Sequence, residues 1–252
     1  MRSRLSTGLV AAVMAVTIGV GGTARPARAA IPWTQVIIAV ASSLYAGNGG
    51  SGDIERAKRE IIDAINASRQ EILNHIDAIA GANVRACTDA ATTNVAQIDR
   101  MDEFTLAVFA LAAVDCATLA TAYFDSVQDP AAADNIGKLM GPIYSIAMVG
   151  YAKLGFPTVD LLDRLIRGYE AIVVKLKPAC ETHRFKEQGG RVEEFYTCTA
   201  YNGDKGVASV IRPAQLTPED RARADAAATR NTSRGVAQKA LPVLRQLRAT
   251  AR

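Results

Sequence analysis

Residues 84–119, VRACTDAATTNVAQIDRMDEFTLAVFALAAVDCATL, indicate most of the architecture because they join two helical patterns and contain a pair of cysteines. Cys87 and Cys116 are equally distant from residues 101–102, where the first helical pattern ends. Folding the stretch antiparallel about this turn places the two cysteines opposite each other. The same register pairs Val84 with Leu119, Ala91 with Ala112 and Val95 with Val108. Because the apolar pattern and the cysteines agree on one register, the sequence predicts a helical hairpin closed by a Cys87–Cys116 disulfide.

Helical sequence continues on both sides of this hairpin. Residues 53–100 carry isoleucines at three- and four-residue spacing between charged residues, which predicts a long helix that is kinked or broken near Gly81. Asp129, followed by a proline, provides the cap and first turn of a third helix, and a fourth helix starts at Thr158. We therefore expect residues 53–177 to form a helical bundle.

The most apolar part of this bundle is residues 104–124, in which Asp115 is the only charge. A helix of this length can cross a bilayer. The link from Cys116 to Cys87 ties the segment to an amphipathic helix, however, so we expect a central helix that is buried in the bundle.

Strand-like alternation replaces the helical pattern after the bundle. Segments within residues 181–212 predict a small three-stranded antiparallel β-meander joined by short glycine-containing turns. Pairing Cys180 with Cys198 also places Arg184 opposite Glu194, so opposite charges face each other. The same register places Glu187 opposite Arg191 and His183 opposite Phe195. We predict a second disulfide, Cys180–Cys198.

The amino terminus, residues 1–29, has the features of a secretory signal. A basic start precedes an uncharged apolar run at residues 9–20, and residues 27–29 match the small-x-small pattern that signal peptidase cleaves. We expect a mature protein that begins at Ala30 and is secreted into the extracellular space. Four cysteines in an oxidising compartment favour two disulfides over metal ligation.

Removal of the signal leaves a chain without net charge. The formal charge of +4 comes from 29 basic and 25 acidic residues, and four of the arginines lie in the signal. The mature chain therefore has 25 charges of each sign. A neutral chain gains little from counterion release, so we expect no nucleic-acid partner.

The carboxyl-terminal residues 214–252 form a further helical region that begins at Thr217, a capping residue followed by proline and two acids. From Arg230 onward the region is basic and has no acid. This stretch could lie on an anionic membrane or a wall polymer. We prefer a helix that packs on the bundle, because Pro242 interrupts the stretch and the rest of the mature chain is acidic.

The sequence assigns no catalytic, cofactor-binding or metal-ligating residue. Its two histidines, His75 and His183, lack the neighbouring groups that catalysis needs, and the common nucleophile, zinc and phosphate-loop motifs do not occur. Asp160 and Asp163 are explained by their place in the first turn of a helix. The sequence thus favours a protein that is not an enzyme, uses no cofactor and has the cysteines as its only chemically special residues.

Three segments resemble a group of secreted helical proteins of actinobacteria for which no activity is established. They are residues 61–87 (IIDAINASRQEILNHIDAIAGANVRAC), 197–209 (TCTAYNGDKGVAS) and 230–244 (RNTSRGVAQKALPVL). The resemblance spans most of the mature chain and implies export and a similar architecture. It implies no catalytic residue.

We therefore predict a mainly α fold, an elongated, disulfide-stapled helical bundle that carries a small β-meander. The chain divides into a signal (1–29), an apolar segment with a glycine-rich linker (30–52), the bundle (53–177), the meander (178–213) and a helical region that packs on the bundle (214–252). The predicted function is a secreted, non-catalytic binding or interaction protein of unknown ligand, with an envelope or protein partner. The alternative is a membrane-active, pore-forming-like protein in which residues 104–124 or 31–45 insert into a membrane.

Overall fold

Helices dominate the structure, a computed structural model that describes residues 33–46, 50–77, 82–186 and 189–251. The described residues form α1 (Trp33–Tyr45), α2 (Ser51–Asp77), α3 (Ala82–Asn94), α4 (Glu103–Ser126), α5 (Pro130–Lys153), α6 (Val159–Lys175), α7 (Pro218–Thr229) and α8 (Ser233–Thr250). A short 3-10 helix, Val95–Arg100, follows α3, and the strands are β1 (Ala179–Lys186), β2 (Val192–Thr199) and β3 (Lys205–Ile211). The mainly α fold with a three-stranded meander is confirmed. The predicted signal, residues 47–49 of the linker and Glu187 of the predicted Glu187–Arg191 pair lie outside the described residues.

The centre of the bundle is α5, in which every residue from 139 to 150 is buried. It packs against α1, α2, α4, α6 and α8. Gly141 allows two of these helices to approach, because a Cβ atom there would lie 2.3 Å from Ile37 Cδ1 and 2.4 Å from the Tyr169 hydroxyl. This corrects the expectation that residues 104–124 form the central helix.

The first described helix, α1, belongs to the core rather than to a separate segment. Ile37, Val40 and Ala41 are fully buried, and the helix contacts α2, α5 and α8. At its end the Tyr45 hydroxyl donates to the main-chain oxygen of Thr158 at 2.8 Å. The first and last helices of the described chain thus pack side by side.

The hairpin of α3 and α4 has the predicted Cys87–Cys116 disulfide, and its Cα atoms are 5.5 Å apart. On α3 and the following 3-10 helix the predicted core residues are buried. On α4, however, Ala112 is exposed and Val108 is 53% exposed. Both were predicted to pack against buried residues of the facing segment, and both lie at the surface instead. The register along the hairpin is right, but α4 is rotated relative to the prediction.

The meander has the predicted order and register. β2 lies between β1 and β3, Cys180 pairs with Cys198, and both form the second disulfide. Arg184 Nε lies 3.1 Å from Glu194 Oε2. α7 covers one face of the sheet and contacts β2 and β3. The contact is close at Gly206, where an added Cβ atom would lie 1.9 Å from the main-chain oxygen of Ala224.

The basic stretch at the carboxyl terminus is docked on the bundle. In α8, Arg248 Nε lies 2.6 Å from Asp163 Oδ1, and Arg245 lies 2.6 Å from Glu170. Arg234 is buried, bonds Asp225 at 2.7 Å and donates to the main-chain oxygen of Val173. Each of these cations is neutralised by an acid of the same molecule.

A buried carboxylate connects the meander to the bundle. Asp134 of α5 is 1% exposed and accepts from the Tyr201 hydroxyl at 2.7 Å and from the Ser233 main-chain nitrogen at 2.6 Å. Lys138 lies 2.9 Å from the same carboxylate. Because Ser233 begins α8, the negative charge also stabilises the amino-terminal end of that helix.

Candidate interaction surface on α4

The exposed side of α4 is apolar. Phe104, Val108 and Leu111 are 79%, 53% and 52% exposed, and their spacing places them on one face of the helix. Below, these three residues are called the apolar stripe. Contiguous apolar patches of more than a few hundred Å² are rare on monomeric soluble proteins and often mark interaction sites.

A groove lies beside the apolar stripe, between α3 and α4. It has a volume of about 330 Å³ and shares Val108 with the stripe. Its lining residues are small or apolar except for one amide and one hydroxyl: Cys87, Ala90, Ala91, Asn94, Met101, Thr105, Val108, Phe109, Ala112 and Ala113. The groove exists because alanines of one helix face alanines of the other, and their side chains are too short to fill the space.

The opposite face of α4 is fixed in the fold. Ala113, Ala117 and Ala120 are buried, and a Cβ atom on Gly150 of α5 would lie 3.0 Å from the Ala110 Cβ. The Cys87–Cys116 disulfide then holds α3 against the side of α4. The apolar stripe and the groove are therefore presented by a rigid support.

The charges of α4 are all negative. Glu103, Asp115 and Asp125 are its charged residues, and none of them forms an ion pair within the described part of the chain. Just before the helix, Asp102 accepts from the main-chain nitrogen of Thr105 at 2.8 Å. This hydrogen bond lowers the pKa of the Asp102 carboxyl, so the group is ionised at neutral pH.

Cations of α6 flank the carboxyl-terminal half of α4, and Arg100 lies two residues before Asp102 at the other end. Arg164 of α6 donates to Thr118 at 3.1 Å. Lys175 donates to the main-chain oxygen of Asp125 at 3.0 Å and lies over the ring of Phe124. The acids before and after the stripe, Asp102, Glu103 and Asp115, form no ion pair within the described part of the chain.

Among the described residues, α4 is also the helix that is long and apolar enough to cross a membrane by length and composition. A core helix of a soluble protein can meet the same criteria. Only 39% of its most apolar window is buried, which separates it from a helix such as α5.

The outer face of the meander is a second uncovered apolar area. Phe185, Val207 and Ile211 are 59%, 56% and 52% exposed on the face that α7 does not cover. The rings of Phe185 and Phe195 meet edge to face at 5.5 Å. This face is flat and adjoins no groove among those described, so we take the α4 surface as the stronger candidate.

The histidines form no recognisable active site in the described structure. His183 Nε2 lies 3.2 Å from Glu181 Oε2, but the two side chains are 53% and 75% exposed on an open strand. The side chain of His75 lies outside the described residues. No group of three or more His, Cys, Asp or Glu side chains converges on a metal position within the described part.

Sequence reasoning identified the segment of this surface but not its exposed face. The signal for the groove was present in the alanine pairs at residues 90–91 and 112–113, which face each other across the hairpin. The long-range bonds of Asp134 and Arg234 had no sequence signal, because each joins elements that are far apart in the chain.

Comparisons of the chain with protein families, curated proteins and solved structures find no match.

Proposed function

We propose that the protein is a secreted, non-catalytic binding protein that contacts its partner through the α4 surface, meaning the apolar stripe and the adjoining groove. The observation that carries this proposal is the exposure of Phe104, Val108 and Leu111 on a helix that a disulfide and α5 hold in place. Fixed, preformed apolar surfaces are suited to binding because little conformational entropy is lost on association.

Export is part of the same proposal. The two disulfides are compatible with an extracellular location, and none of the described cysteines is free. The signal features of residues 1–29 and the resemblance to secreted actinobacterial proteins support secretion. An envelope component or another secreted protein is the partner that this location favours.

A membrane-active protein is the second candidate, because α4 has the length and composition of a membrane span. Insertion would require α4 to leave α5 and, while the Cys87–Cys116 disulfide is intact, to take α3 with it. It would also move Asp115 into hydrocarbon, which costs several kcal/mol. We therefore rank this function below binding.

Capture from cell envelopes and culture medium tests the proposed function. Immobilised mature protein should retain a component that the Leu111→Glu variant does not retain. Val174→Glu is the matched control, because Val174 is 75% exposed on α6 and lies outside the α4 surface. Equal capture by the wild type and the Leu111→Glu variant would show that α4 is not the binding surface.

Release of a dye from liposomes separates the two candidates. We expect no leakage, whether the protein is oxidised or reduced. Strong leakage after reduction of Cys87–Cys116 would favour membrane insertion over binding.

A further inference from the structure

The charge of the α4 surface limits the kind of partner that it can bind. The groove is lined only by uncharged residues, and the carboxylates at its two ends, Asp102 and Asp115, are both negative. Asp102 and Asp115 are 13 positions apart in the sequence. At the rise of a helix this separation corresponds to about 20 Å along the helix axis. A complementary ligand is apolar along its length and positive at both ends.

A second copy of this chain does not fit this description. Pairing α4 with α4 would bring acids against acids, because the helix has no Lys or Arg. Its exposed face is also small, since 24 residues form a helix about 36 Å long and about 10 Å wide, roughly 360 Å². Stable dimers usually bury about 800 Å² on each subunit. The surface suits a smaller, transient contact.

An anionic membrane is disfavoured for the same electrostatic reason. Proteins that lie on anionic bilayers combine an apolar helix face with lysines and arginines. Here acids flank the stripe instead, with Asp102 and Glu103 at its start and Asp115 after its end. The negative charge of the bilayer would oppose its approach.

We propose that the α4 surface binds a cationic amphipathic helix of a partner protein. The apolar residues of the partner helix would pack on Phe104, Val108 and Leu111, and one bulky side chain would enter the groove. Lysines or arginines near its ends would approach Asp102 and Asp115. This is helix-in-groove recognition, in which apolar anchors provide affinity and flanking charges select the partner. The inference depends on the proposed function, because it names the partner class for the same surface.

Two synthetic peptides test the charge requirement on the full mature protein. Each has about 18 residues, roughly 27 Å as a helix, with leucines at i, i+3, i+4 and i+7 and alanines elsewhere on that face. One carries lysines on the remaining positions, and the other carries glutamates. We expect the lysine peptide to bind in the micromolar range and the glutamate peptide to bind at least about tenfold more weakly, as measured by titration calorimetry.

Variants of α4 locate the binding. Ala112→Phe fills the groove from an exposed position and should weaken the lysine peptide about tenfold or more, whereas Ala122→Phe, also exposed on α4 but outside the groove, should not. Asp115→Asn should weaken it about two- to fivefold, and Asp125→Asn should have no effect. Circular dichroism confirms that each variant is folded.

Three results would overturn the proposal: equal binding of both peptides, no effect of Ala112→Phe in a folded protein, or tighter binding to vesicles of anionic lipid than to the lysine peptide. None of them depends on the capture experiment. If Leu111→Glu abolishes capture while the peptides bind equally, the surface is the binding site but the partner is not a cationic helix. If capture is unaffected, the proposed function itself fails.

Discussion

At the scale of single residues, the close approach of α7 to β3 depends on a glycine. An added Cβ atom at Gly206 would lie 1.9 Å from the main-chain oxygen of Ala224 and 2.7 Å from the main-chain nitrogen of Ala228. Neither backbone atom can move without shifting α7 as a whole. The absence of a side chain at this position is what allows α7 to lie on β3.

We predict that Gly206→Ala lowers the free energy of unfolding by about 1–3 kcal/mol or more, because α7 must move away from the sheet. Urea denaturation followed by circular dichroism measures the change. Gly52→Ala is the control, since an added Cβ atom there meets nothing within 4 Å and alanine suits a helix better than glycine. Equal stability of the Gly206→Ala variant and the wild type would show that the contact is looser than the structure indicates.

Ala112 shows what residue patterns leave undetermined. Pairing residues at equal distances from the turn correctly predicted that Cys87 lies opposite Cys116 along the helix axes. It did not give the rotation of α4 about its own axis, because successive helical residues differ by about 100°. Ala112 therefore lies at the rim of the groove, and its neighbour Ala113 is the buried residue.

At the scale of helices and strands, the two disulfides each stabilise one hairpin. They join residues 29 and 18 positions apart in the sequence. The unfolded chain loses conformational entropy when such loops are closed, and the folded chain does not. Each disulfide thus contributes to stability chiefly through the unfolded state.

We predict that replacing Cys87 and Cys116 with alanine together lowers the free energy of unfolding by about 3–4 kcal/mol. The protein should remain folded, because α4 still packs on α5 through its buried alanines. The matched variant without Cys180 and Cys198 should lose a similar amount, with the shorter loop giving slightly less. Thermal and urea denaturation under non-reducing conditions compare all three proteins. A Cys87/Cys116 variant as stable as the wild type would contradict this account.

Helices and strands differ in how far the sequence could predict them. The meander register followed from one cysteine pair and one charge pair, because side chains in a strand alternate strictly between two faces. In α6, Leu162, Leu165 and Tyr169 recur at three- and four-residue spacing, and all three are buried. α4 is apolar on nearly all sides, so no amphipathic pattern marked the side that faces water. That is why the helix was predicted and its exposed stripe was not.

At the scale of the whole molecule, a network of charges connects α2, the 3-10 helix and α5. The buried ammonium group of Lys58 contacts Glu55 and Asp99, and Lys153 lies 2.8 Å from Asp99 and 3.2 Å from Glu55. Hydrogen bonds from these lysines lower the pKa of Glu55, mainly through Lys58, and that of Asp99, mainly through Lys153. The two carboxylates therefore favour the folded state when they are ionised.

We predict that acid destabilises the protein below about pH 4, near the ordinary pKa values of Asp and Glu. As the pH falls, the unfolded chain takes up protons at Glu55 and Asp99 before the folded chain does. The stabilisation is complete above that pH and disappears as the pH falls through the lowered pKa values. Urea midpoints measured from neutral to acidic pH should show the decline.

The control for this prediction is a carboxylate outside the network. Asp99→Asn should flatten the dependence on pH, and Glu60→Gln, at an exposed position of α2, should leave it unchanged. Identical pH profiles for the wild type and the Asp99→Asn variant would show that the network does not contribute.

The pairing of α1 with α8 has a consequence for the order in which the molecule can form. Helix α1 is the first described element and α8 the last, yet the buried faces of Ile37 and Val40 belong to a layer that includes α8. A chain that emerges from its amino terminus cannot complete this layer until the final turns have arrived. The side of the core that α1 covers therefore stays incomplete until α8 has been made.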